Sequence, residues 1–437
     1  MDTPRTKPEI PTGLDAKGRK VYETLLQVMA QRITHTKASP NVVVVTDLAA
    51  DLDDLLAMVE LDPFHDIGLI NIVGYIANLK PAKERARFGR GALDSLGRGD
   101  IPIAWGEVAT TKSRPVHSHE FDCDFMAENV VFTPYGQPKS DPGNPLEIES
   151  GISLLSRLVK SRVETPEGQP RDPKPEEKLT FLLISSLADI WTFAQLQPEN
   201  FVKVTSRVIL QGGYTVEPNL PNSCYTIIAD PMANNNGGFD MDSANAFHEF
   251  MCRNKIPSVV FTKVAAVASA MPTKVLKDMA TTGHVLGKHL YKVQVDLDLK
   301  YYEASGDEKR RFRSHMDEKW FLETRTNWFL SHTEDEPYPK GSEVLEYVLV
   351  VPYDPLAALE VAGPDVRDAL NVLKLFKDQS IHKIVGRRAP NPKTNDLGDI
   401  GINVVETQTV LEALFTGSLM ACQESFSSQT CSGPKDH

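Results

Sequence analysis

The chain has 437 residues, of which 41% are hydrophobic, 24% charged and 8% aromatic. These are the proportions of a globular protein with a large core, and they exclude disordered, collagenous and coiled-coil classes. Acids outnumber bases 59 to 47, and the net charge of −12 disfavours non-specific contact with nucleic acid or an anionic membrane.

Residues 1–38 read as an N-terminal tail and helix. Strand-length apolar runs then recur at Val42–Val45, Leu69–Ile76, Leu179–Ile184, Val208–Leu210 and Ser258–Phe261. Helical patterns alternate with them at Leu52–Leu61, Ala82–Leu96, Leu146–Val163, Leu187–Leu196 and Asp240–Cys252. Unbroken apolar runs mark strands buried on both faces, so the alternation predicts an α/β domain over residues 39–420. Its core is a wound, mostly parallel central sheet flanked by helices. Glu164–Lys178 and Thr133–Pro145 are rich in loop-forming residues and read as surface connections. Residues 273–330 turn mainly helical, a cap or insertion with Trp320, Phe321, Trp328 and Phe329 on a packed face. Residues 421–437, Ser-rich at their start, are expected to form a disordered tail. Five cysteines at wide spacings, with no CxxC pair, suggest neither a disulfide framework nor a thiolate zinc site. No run reaches the length of a membrane span, and the polar N-terminus lacks a signal-peptide core. The expected location is cytoplasmic, with non-classical export left open.

Charge is unevenly placed. No Lys or Arg occurs from Ala38 to Leu79, whereas Asp47, Asp51, Asp53, Asp54, Glu60, Asp62 and Asp66 all do. Asp47, Asp51, Asp53 and Asp54 directly follow the first strand, at the end where ligands collect in wound sheets. Capping by Asp51 and favourable dipole contacts from Asp53 and Asp54 account for one or two acids. Four carboxylates so close together point further, to a hard cation with oxygen ligands. An EF-hand would need a Gly at its turn, and an aspartyl phosphatase would need Asp-x-Asp directly after the strand. Neither pattern is present.

A strand ending in Asp and followed by Asp-Asp at a helix start resembles the first motif of the inosine-uridine-preferring nucleoside hydrolases. Further segments resemble that family in the same order: Gly74-Tyr-Ile-Ala-Asn78, Leu182–Ile190, Gln211-Gly212-Gly213, Asn234-Asn-Asn236, Phe239-Asp240-Met-Asp242 and Tyr353-Asp354-Pro355-Leu356. The spacing from Thr46-Asp47 to Asp51-Leu-Asp53-Asp54 and the segment Thr262-Lys263-Val-Ala-Ala266 most resemble the XopQ-class bacterial type III effectors. Val267 stands where those effectors carry an aromatic.

The resemblance implies a calcium-dependent N-ribosyl hydrolase acting on purine ribosides. Adenine-type ribosides are favoured, including N6-substituted ones such as cytokinin ribosides, or related nucleotides. Asp47, Asp54 and Asp354 would be side-chain calcium ligands, Ala188 would offer its carbonyl, and Asp53 would be the base. Asn78 and Asn236 would hydrogen-bond the ribose and Asn234 would lie on the substrate side, with Asp51 as a supporting or capping acid. Such cleavage passes through an oxocarbenium-like sugar, so it needs a positioned water, a base and groups that orient the hydroxyls. Tyr353 takes the leaving-group position where many members have His, and a phenol with a pKa near 10 gives up a proton less readily than imidazolium. The alternative is a catalytically weak protein that binds nucleosides or ADP-ribose-type ligands and acts through a protein partner. Phosphoryl transfer is a weaker rival. The partner is a small-molecule riboside, with no nucleic acid or membrane; monomer and homo-oligomer both remain open. His117 and His119 lie in an expected loop, His284 and His289 in a helical pattern, and Arg310, Arg311 and Arg313 on an expected solvated face.

Overall fold

Four consecutive valines make the central strand. In the computed structural model, β1 (Asn41–Thr46) sends Val42 and Val44 into the core on one face of the sheet and Val43 and Val45 into the core on the other, as the two-residue strand period requires. The structure describes residues 9–48, 52–109, 148–213, 235–311, 313–373, 381–389 and 398–430. The remaining strands are β2 (Asn71–Ala77), β3 (Ile103–Trp105), β4 (Leu179–Leu183), β5 (Thr205–Gln211), β6 (Ser258–Phe261), β7 (Met271–Pro272), β8 (Leu349–Val350) and β9 (His382–Val385). Seven of them form a parallel sheet in the order β3-β2-β1-β4-β5-β6-β9, while β7 and β8 pair antiparallel beside it.

The helices are α1 (Ala16–Thr34), α2 (Asp53–Ile67), α3 (Ala82–Ser95), α4 (Gly151–Val163), α5 (Ala188–Leu196), α6 (Pro198–Val204), α7 (Asn235–Gly238) and α8 (Met241–Arg253). After them come α9 (Lys263–Ala268), α10 (Lys274–Thr281), α11 (Val285–Ser305), α12 (Glu318–Arg325), α13 (Tyr353–Ala358), α14 (Pro364–Leu370) and α15 (Val404–Thr430). Helix α2 is buried on nearly every side, between the sheet, α13 and α15, and encloses Glu60, Asp62 and His65 along with its apolar residues. Helices α4, α5, α6 and α8 cover the opposite face of the sheet. The insertion builds a small core of its own from Tyr301, Tyr302, Phe321, Leu322, Trp328, Val344 and Val348.

Three expectations about element limits change. Helix α2 runs to Ile67, through Pro63, well past Leu61. The pattern expected from Leu146 starts as a helix only at Gly151, where the Ser150 side chain accepts the Ser153 N–H. The C-terminal helix continues to Thr430, so residues 421–430 are helical where a disordered tail is expected. Packing explains its extension, since Leu411, Leu414, Phe415 and Leu419 are fully buried and Cys422 is 7% exposed. Among the described residues Cys422 is a free thiol. No helix among them is long and apolar enough to cross a membrane.

Winding reverses between β1 and β4, which leaves a crevice at their carboxyl ends. The strand ends are level there. Ile184 N donates to Val45 O at 2.9 Å, Asn78 N to Thr46 O at 2.9 Å and Gly106 N to Ala77 O at 2.8 Å. Asp47, Asn78, Gly106 and Ser185 therefore leave four neighbouring strands side by side.

Candidate functional site

Two helices begin at this edge with acids in their first turns. Helix α2 starts at Asp53-Asp54 and α13 at Tyr353-Asp354, and the two helices pack together. One carboxylate oxygen each from Asp53, Asp54 and Asp354 lies within 4.8 Å of the others, and Asp54 and Asp354 are buried. Asp54 does not act as a simple cap: the N-cap of α2 is Leu52, without a side-chain bond. The Asp54 carboxylate instead accepts the Asp47 N–H at 2.9 Å and the Thr46 hydroxyl, which fixes α2 to the end of β1. Three hard oxygen donors converging in a partly dry crevice fit a divalent cation of the calcium or magnesium kind, whose charge would offset their repulsion.

The other expected residues are distributed around this cluster. Asp47 leaves β1 half-buried and is not one of the three converging carboxylates, and Ala188 opens α5 beyond β4 at 1% exposure. Tyr353 is half-buried, packs against the main core and stands next to Asp354. Asn236 is 8% exposed, and its Nδ2 donates to the Gln211 side chain at 2.8 Å, at the end of β5. Asn78 is fully enclosed: its Nδ2 donates to the Ser186 carbonyl at 2.9 Å and its Oδ1 accepts from the Ser185 hydroxyl. Asp51, Asn234, His117, His119 and the expected loop Thr133–Pro145 lie outside the described residues.

Two contributors escape sequence reasoning. Arg85, on α3, is fully buried and donates to the backbone carbonyls of Asp47 and, at 3.3 Å, Leu48. The stretch without Lys or Arg thus receives one positive charge from the next helix, while Arg98 beyond that helix pairs with Asp62 and Asp66. The available signal was an Arg on the apolar face made by Ala86, Phe88, Ala92 and Leu93. Asp189, 1% exposed, accepts the N–H groups of Val108 at 2.9 Å and Ala109 at 3.2 Å, just beyond β3. Burial pushes its carboxyl above the usual range, while those N–H groups and the Asn78 side chain pull it back. Its signal was an acid inside the apolar run Leu187–Leu196.

Elsewhere the bland expectations hold. His284 is the N-cap of α11, with Nε2 3.0 Å from the Ser95 carbonyl, and His289 is buried, its imidazole pushed down to about 4 by desolvation. Arg310 faces Glu303 at 3.9 Å and Arg311 donates to the Ser305 carbonyl at 2.9 Å, as expected for a solvated helix end. Val267 is 45% exposed on α9. A cavity of about 580 Å³ opens in the insertion around Tyr302, Glu318, Glu336 and Tyr338, and none of the clustered acids lines it.

No protein-family model matches the chain, and no curated protein matches it in sequence. Solved structures do. The type III effector protein XopQ, in a structure complexed with adenosine diphosphate ribose, is 18% identical with a TM-score of 0.68, covering 93% of this chain and 100% of that one. The chain has the XopQ fold. The effector protein XOO4466 is likewise 18% identical, with a TM-score of 0.65 and coverage of 92% and 99%. A plant nucleoside hydrolase, PpNRh1, is more distant at 15% identity and a TM-score of 0.49, over 86% of this chain and 99% of that one. The expected likeness to the effectors therefore holds for the fold, and the wound parallel sheet is the expected one.

Proposed function

We propose that this chain is a calcium-dependent N-ribosyl hydrolase that splits adenine-type purine ribosides into base and ribose. The observation that carries this reading is the convergence of Asp53, Asp54 and Asp354, from two helix starts 300 residues apart in sequence, at the winding reversal of the sheet. The fold shared with XopQ, whose structure holds ADP-ribose, supports a ribosylated adenine ligand.

Asp47, Asp54 and Asp354 would hold the ion with the Ala188 carbonyl. When bound, calcium would neutralise the cluster, engage the ribose 2′ and 3′ hydroxyls and acidify a water. Asp53, the least buried of the three clustered acids, takes one proton as the water oxygen bonds to the anomeric carbon and the C–N bond breaks. Asn236, steadied by Gln211, orients a sugar hydroxyl. The departing base nitrogen takes up a proton from solvent while Tyr353 assists by donating a hydrogen bond, and Asp53 returns its proton to solvent. Asp51 and Asn234 complete the substrate side.

The phenol at Tyr353 favours one other reading, in which the protein binds such ligands with little turnover. Adenosine, an N6-substituted adenosine, inosine, uridine and ADP-ribose, each incubated with and without a calcium chelator, distinguish the two. Free base from the adenine-type ribosides, abolished by the chelator and restored by calcium, is the expected result. Ligands that raise the melting temperature without releasing base select the binding reading, and magnesium-dependent phosphate release overturns both.

A further inference from the structure

Asn78 is placed beside the acid cluster but turned away from open space. An amide side chain offers two N–H donors and two acceptor lone pairs. One donor is spent on the Ser186 carbonyl at 2.9 Å, and Oδ1 accepts from the Ser185 hydroxyl. Asp189 lies beside Asn78, the two side chains meeting over the Cα of Gly106. The Asp189 carboxylate holds the N–H groups of Val108 and Ala109 at 2.9 and 3.2 Å. Gly106 closes the group: a Cβ there would lie 2.4 Å from Asn78 Cβ, 2.9 Å from Asn78 Cα and 2.7 Å from Asp189 Oδ2. These contacts tie together the chain leaving β2, β3 and β4, and Asp189 directly follows Ala188 at the start of α5.

We infer that Asn78 and Asp189 form a buried strut that positions the Ala188 carbonyl for the cation, and that Asn78 is a positioning residue rather than a ribose contact. The inference rests on the cation site proposed above. A ribose hydroxyl could reach the Asn78 amide only by displacing its buried hydrogen bonds to Ser185 and Ser186, and buried polar groups are costly to leave unpaired. The strut instead supports a metal ligand from behind, and loss of such support costs about 10- to 100-fold in metal affinity.

Calcium titration by calorimetry into the wild-type chain, Asn78→Ala, Asp189→Asn and the double variant tests this, with each variant's melting temperature in chelator as the folding control. Each single substitution is expected to weaken calcium binding about tenfold, and the double to be no weaker than the weaker single, because both cut one strut. Riboside affinity at saturating calcium is expected to stay within about twofold, which neither a ribose contact nor general loosening of the fold would give. Gly106→Ala, which displaces both side chains, follows the same pattern. Ser185→Ala removes only a hydroxyl and substitutes for Asn78→Ala should that variant not fold. Unchanged calcium affinity in a folded Asn78→Ala or Ser185→Ala variant overturns the strut, as does a fall in riboside affinity with calcium binding intact. A wild-type chain that binds no calcium overturns the cation site itself and the strut with it.

Discussion

Asp54 and Asp298 are buried to nearly the same degree, 4% and 2% exposed, in two regions that treat a carboxyl in opposite ways. At the edge of the sheet, Asp54 receives the Thr46 hydroxyl and the Asp47 N–H and stands with two further carboxylates, Asp53 and Asp354. In the insertion, Asp298 lies along α11 and receives the Gln294 amide at 2.6 Å; burial pushes its carboxyl up to about 6 despite that bond and nearby Arg325. Depth alone therefore does not make a site. Strand ends supply backbone donors that help hold several carboxylates together, whereas the interior of a helical layer has its own N–H groups spent, and burial there tightens a carboxyl's hold on its proton.

The sharpest way to break this contrast is Asp54→Ala. Loss of a carboxylate ligand from a cluster of three is expected to lower calcium affinity by about 100-fold or more and to reduce base release to background. Calorimetry and free-base release measure the two effects, and a retained affinity removes Asp54 from the site. Next in size is Phe321→Ala in the insertion, where the ring is fully buried, 5.2 Å from Tyr302 and 6.0 Å from Tyr301. Emptying that position is expected to cost about 3–5 kcal/mol in denaturant unfolding. Calcium affinity of the folded variant should not change, since the insertion has a separate core; a joint fall would show that the two regions are one unit.

The same contrast governs what sequence reveals. β1, β2, β4, β5 and β6 stand out as unbroken apolar runs because helices cover both faces of the sheet. β3 and β9 lie at its edges with three and four residues, and runs as short as Ile103–Trp105 or the mixed His382-Lys383-Ile384-Val385 carry no comparable pattern. The clustered acids were legible because Asp53 and Asp54 adjoin in sequence and Asp354 stands within a recognisable segment. Arg85 and Asp189 were not, because their roles come from contacts 38 and 81 positions away, which only the winding of the sheet brings together. Asn78 was visible as a residue, but its enclosure follows from Ser185 and Asp189, and no local pattern announces a pairing across strand ends.

Asp298→Asn is the smallest change and sharpens the contrast most directly. In the folded chain the Asp298 carboxyl is raised from 3.8 to about 6, so the native state holds its proton more tightly than the unfolded state does. The stability linked to this group is fully present below about pH 4 and is lost as pH rises through about 6. A rise of that size corresponds to about 3 kcal/mol at most. Asn retains a hydrogen bond with Gln294 and carries no charge, so the variant should match the wild type near pH 4 and exceed it by up to about 3 kcal/mol at about pH 8 in parallel urea titrations. An advantage that is constant across this range would mean that Asp298 stays ionised in the fold. The insertion would then tolerate a buried anion as well as the strand edge does, and the difference between the two regions would lie in the clustering of acids alone.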